Sequence, residues 1–182
     1  MTPKHTLTLT AYLQSTKAPW TSLLMVTAGQ RAKSLVRPPP GLAMKVIKGR
    51  HCKTPANLFT EFARALEFPD YFGHNWDALE ECLADLEWMP AKGYILLITD
   101  AAHVLSDDEA EYETFLEILR DAGVAWGYGQ ADLGARRATP FHVLFAVSER
   151  EKTKRAHWGM KEINAEPTRK ADTRQRSPKR KP

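Results

Sequence analysis

A chain of 182 residues with an ordinary apolar share, 43%, has room for one packed domain plus extensions. Its net charge of +4 conceals a segregation: residues 1–44 carry five Lys/Arg and no acid, residues 45–148 carry nine against 17 acids, and residues 149–182 carry twelve against five, giving +5, −8 and +7. No run of about 18 apolar residues is present and the N-terminus lacks an apolar signal core, so neither a transmembrane helix nor a secretory signal is expected and cytoplasm is the expected compartment.

Residues 1–43 read as a basic N-terminal extension ending in the linker Arg37-Pro38-Pro39-Pro40-Gly41, which can continue neither a helix nor a central strand. Within it, Trp20 and Leu23–Val26 suit a short strand or an apolar arm, and the sequence leaves that choice open. Met44–Lys48 is a strand that stops at Gly49. Thr54-Pro55 pairs an N-cap with proline at the first helical position, and Leu58, Phe59, Phe62, Ala63 and Leu66 follow at helical spacing. The aromatic loop Phe68–Gly73 breaks that helix, with Phe72 expected in the core and Tyr71 outside. A second helix is expected from Asn75 or Trp76 to about Leu86, burying Trp76, Leu79, Leu83 and Leu86.

Tyr94–Thr99 is a continuous apolar run, as in a strand buried on both faces of a parallel sheet. Ser106–Glu109 has the pattern of a capping box opening a third helix, with Gly123 as its stop. Val124–Pro140 reads as a loop, Phe141–Val147 as the last strand, and residues 149–182 as a disordered basic tail. This order implies an α/β domain over residues 44–148, a small three-stranded parallel sheet packed with helices.

Asp77, Glu80 and Glu81 stand at i, i+3 and i+4 on the second helix, and Asp85 continues the face one turn later. Like charges at this spacing destabilise a helix by about 0.2–0.5 kcal/mol per pair, and only Asp77 gains from the helix dipole. Local stability therefore does not explain the stripe; a solvated acidic face or a surface for a cationic partner does.

The phrase Phe68-Pro69-Asp70-Tyr71-Phe72-Gly73-His74-Asn75-Trp76-Asp77-Ala78-Leu79, followed by acids, Cys82 and Leu83, resembles the signature of the barstar family of intracellular ribonuclease inhibitors. Met44–Gly49, Thr54–Leu66, Phe115–Ala122 and Phe141–Val147 resemble further elements of the family. The resemblance implies that a loop and an acidic helix plug the cationic active site of a ribonuclease, whether barnase-like or a toxin. By position it implies partner contacts at Tyr71, Gly73, Asn75, Asp77, Glu80 and Glu81, with Asp121 as a peripheral acid and Glu81 as the central phosphate mimic. Glu81 stands where the family's reference inhibitor has aspartate, Glu80 where it has tryptophan, and Ala84 where it has a hydroxyl residue. The implied partner is a basic ribonuclease or another cationic protein.

No catalytic role, cofactor or metal is expected. Adjacent helical acids do not face one another as acid–base pairs do, and His51, Cys52, His74 and Cys82 lack a paired metal-ligand spacing. Cys52 and Cys82 read as buried or half-buried free thiols. A different class of function remains open, a binding or regulatory module whose basic tail, from Arg169 to Lys181, touches nucleic acid weakly through charge.

Overall fold

Apolar runs bounded by turn residues become the strands of a parallel sheet. The computed structural model describes residues 8–27, 30–129, 136–155 and 157–164. In chain order these hold α1 (Leu9–Leu13), β1 (Thr21–Met25), α2 (Ala32–Leu35), β2 (Leu42–Lys48), α3 (Pro55–Leu66), α4 (Trp76–Asp85), β3 (Gly93–Thr99), α5 (Tyr112–Tyr128), β4 (Phe141–Val147), α6 (Glu149–Lys152) and β5 (Lys161–Asn164). All strand pairs are parallel, in the order β2-β3-β4-β1-β5. β3 and β4 are buried almost throughout, because helices cover both faces of the sheet.

The side-chain period of two sorts each strand between two cores. Leu96, Ile98, Val143 and Phe145 meet α3, α4 and α5 through Leu58, Phe62, Leu79, Leu83, Phe115 and Leu119. Ile95, Leu97, Leu144 and Ala146 point the other way, onto Leu9, Tyr12, Leu13 and Val36 of the N-terminal segment. Phe62 and Phe115 pack edge to face at 5.6 Å at the centre of the larger core.

The sheet has five strands, not the three expected. The expected three are β2, β3 and β4; β1 and β5 continue the sheet past β4. Without them, β4, apolar on both faces, would present an unpaired edge of backbone groups. Thr21–Met25 pairs with Val143–Val147 instead, and β5 pairs with β1.

The N-terminal segment is pinned by polar contacts. Tyr12 Oη donates to Pro19 O at 2.8 Å and lies 2.9 Å from Ser22 Oγ, while His142 Nε2 donates to Ser15 O at 2.8 Å. Trp20 lies against Gly123 and Gly127, where a Cβ on Gly127 would fall 2.8 Å from Trp20 Nε1. Gly123 therefore does not stop the third helix. It admits the indole in the middle of α5, which runs on to Tyr128 and takes the first residues of the expected loop.

Two further expectations are corrected. Ser106–Glu109 forms no capping box: Ser106 Oγ bonds Asp107 Oδ1 at 3.0 Å, and a short 3₁₀ turn, Glu109–Glu111, precedes α5. The capping box lies at Ser148 and Glu151, opening α6. Residues 149–164 are accordingly packed rather than a disordered tail. Arg155 stacks on Tyr112 at 3.6 Å and donates to Val104 O at 2.7 Å, and Trp158 is buried with its Nε1 donating to Lys152 O at 2.9 Å. The basic residues from Arg169 to Lys181 lie outside the described residues.

Candidate functional site

Asn75 starts α4 by accepting the Ala78 N–H on Oδ1 at 2.8 Å, and Leu86 ends it in the left-handed region at φ 51°. Leu79, Cys82 and Leu83 face the core, which leaves Asp77, Glu80 and Glu81 exposed and Asp85 half-buried. The helix is fixed along its length. Trp76 Nε1 donates to Glu111 Oε2 at 2.9 Å, Trp126 Nε1 to Leu83 O at 2.7 Å, and Arg136 Nη1 to Ala84 O at 2.6 Å.

The preceding loop is anchored by aromatic rings. Phe72 is buried against Phe68 at 4.8 Å and Phe59 at 6.5 Å, and Phe68 meets Trp88 at 5.7 Å. With Phe72 held inward, Tyr71 projects outward, 74% exposed. His74 takes φ 51°, which turns the chain into the helix cap. Gly73 lies under that cap, where a Cβ would approach Asn75 Nδ2 to 3.2 Å.

Tyr71, Glu81 and Asp85 line one small cleft of about 180 Å³, so loop and helix form a continuous surface. Partial desolvation, then Cys82, Asp85 and Glu87, push the Tyr71 hydroxyl above its ordinary pKa. Burial and the Asp85 and Glu81 carboxylates raise the Cys82 thiol likewise, keeping it protonated and unsuited to nucleophilic work. Of the expected contact residues, Tyr71, Gly73, Asn75, Asp77, Glu80 and Glu81 lie on this loop and helix. Asn75 spends its side-chain oxygen on the cap. Asp121 stands apart, on the exposed face of α5 with Val124 and Tyr128, and no hydrogen bond or ion pair among the described residues ties it to α4.

The electrostatics of the face are one-sided. Cations elsewhere pair with acids: Lys45 with Glu67, Arg50 with Asp100, Arg64 with Glu61, Arg120 with Glu113. Among the described residues, no salt bridge reaches Asp77, Glu80, Glu81 or Asp85. The face is thus a rigid set of carboxylates without an internal counter-charge.

A family model described as Barstar (barnase inhibitor) matches residues 42–146, more than half of the chain. The chain belongs to the Barstar family. The matched segment contains β2, β3, the loop and α4; β1 and β5 lie outside it. None of the curated proteins compared with the chain matches it. Among the described residues no group of three or more His, Cys, Asp or Glu is placed to hold a metal ion, and no helix is long and apolar enough to cross a membrane.

The expected contact set omitted Asp85, Glu87, Trp126 and Arg136, which share a second cleft with Glu81. Asp85 was legible from its spacing to Glu81. Trp126 and Arg136 reach the site only through the packing of α5 on α4.

Proposed function

We propose that this Barstar-family chain inhibits a basic ribonuclease of the barnase or toxin type, by seating Tyr71 and the α4 carboxylates in its phosphate-binding site. The observation that carries this is the uncompensated acidic face beside an exposed tyrosine, both on a backbone locked by caps and buried aromatics. A carboxylate held there takes the place of a substrate phosphate against Arg, Lys or His. Glu81 is the central mimic and Glu80 adds charge at its flank. No turnover, cofactor or metal enters the mechanism, which is occlusion of the site. The free, buried thiols Cys52 and Cys82 fit a reducing compartment, and the proposed location is the cytoplasm.

The test is hydrolysis of a fluorogenic RNA by a panel of basic ribonucleases, titrated with the full chain. Stoichiometric inhibition of at least one, lost in Glu81→Gln, supports the reading. A second reading, a scaffold associated with nucleic acid, draws on the net charges of the two ends, +5 and +7. No inhibition across the panel, together with salt-sensitive retardation of RNA by the chain, would replace the first reading with the second.

A further inference from the structure

Beyond the face that presents Glu81, a larger cleft of about 810 Å³ opens between the end of α4 and the segment from Arg136 to Thr139. Glu81, Asp85 and Glu87 stand on one rim, and Pro90 and Trp126 give it apolar wall. Its other polar groups are already engaged. The Arg136 guanidinium lies flat over the Trp126 ring at 3.7 Å and donates to Ala84 O at 2.6 Å. Trp126 Nε1 donates to Leu83 O at 2.7 Å, and the Tyr94 hydroxyl to Met89 O at 2.9 Å. Arg136 thereby caps the carbonyl end of α4 and serves as wall rather than as a free cation. The groups left to meet an occupant are carboxylates, which only accept hydrogen bonds, beside an apolar surface that suits a methylene stem.

We propose that this cleft receives a cationic side chain, lysine or arginine, of a protein partner. Glu81 lines both clefts, so the side chain enters beside the principal contact and extends the binding surface from α4 to the Arg136 segment. That the partner is a ribonuclease rests on the function proposed above; the chemistry of the occupant rests on the cleft itself.

The probes are N-acetyl-lysine-methylamide and N-acetyl-arginine-methylamide, titrated into the ¹⁵N-labelled full chain at millimolar concentration, with N-acetyl-norleucine-methylamide and hexanoate as controls. The Trp126 indole N–H signal is expected to move saturably with both cationic probes and to stay in place with norleucine. The movement is expected to vanish in the double variant Asp85→Asn, Glu87→Gln, whose spectrum otherwise overlays that of the parent. An equal response to norleucine would reduce the cleft to an apolar hollow, a response to hexanoate would make Arg136 an anion site, and silence to both cations would remove the site. Each of these overturns the proposal. Binding of the cations by a chain that inhibits no ribonuclease would leave the cleft standing and remove only the ribonuclease as its partner.

Discussion

Glu81 and Asp108 are both exposed acids of the −8 central block, and their surroundings set them apart. Glu81 joins Tyr71 and Asp85 on the rigid loop–helix surface, whereas Asp108 precedes a short 3₁₀ turn and makes no cap bond. Close charge pairs in the barnase–barstar complex, the measured reference for this family, couple by about 1.5–7 kcal/mol. Glu81→Gln is therefore expected to cost several kcal/mol of binding to an inhibited ribonuclease, Asp77→Asn less because it lies at the helix start, and Asp108→Asn almost nothing. Dissociation constants for the three variants check this, and equal losses in all three would reduce α4 to a solvated face. A second residue-scale effect sits far from the site. Burial pushes the His142 imidazole below its ordinary pKa of 6.5, against the backbone hydrogen bonds at Ser15 and Pro19 that favour its charged form. The unfolded chain takes up the proton first, so the contribution of His142 to stability is whole above pH 6.5 and is lost as pH falls from there to its folded value. Urea unfolding at pH 7.5, 6.5 and 5.5 should show that decline in the parent and a shallower one in His142→Gln; parallel slopes would refute it.

At the scale of elements, periodicity and caps made β2, α3, α4, β3 and β4 legible, because each carries its own apolar pattern and stop. Asn75 and Leu86 bound α4 where the stripe of Leu79 and Leu83 ends. The failures have a common cause, contacts distant in sequence. Gly123 looks like a helix stop when read locally, yet it admits Trp20, more than a hundred residues earlier. Ser106–Glu109 has the letters of a capping box, but Ser106 bonds Asp107 instead of a helix N–H. The same logic predicts a sign. In an open helix Gly→Ala gains about 1 kcal/mol, but overpacking against a ring costs about 1–3 kcal/mol. Gly123→Ala should therefore destabilise the parent and become neutral or stabilising in a Trp20→Ala background. A double-mutant cycle by chemical denaturation measures the difference, and additive effects would mean that Trp20 does not press on α5.

Over the whole molecule, composition separated an acidic centre from basic ends, but charge does not report packing. The ends were read as extension and tail because they are polar on average and their apolar residues are scattered. Those scattered residues make the contacts: Leu23 and Leu24 in β1, Trp158 beneath Arg155 and Tyr112, and Ile163 in β5. The family segment, residues 42–146, supplies three strands and most of the α3–α5 core, whereas the second face of its sheet is covered by Leu9, Tyr12, Leu13 and Val36 from outside it. Cutting the chain after Ser148 removes β5, the capping box of α6, the Arg155 stack and the buried indole of Trp158. Deleting a buried tryptophan alone typically costs about 3–5 kcal/mol, and for a chain of this size each kcal/mol moves Tm by about 2–4 °C. The truncated protein is expected to melt about 6–20 °C below the full chain, with Trp158→Ala accounting for a large part of the fall. Calorimetry of the two decides it. An unchanged Tm after truncation would mean that residues 149–164 contribute nothing to stability, and that the sheet is complete at β1.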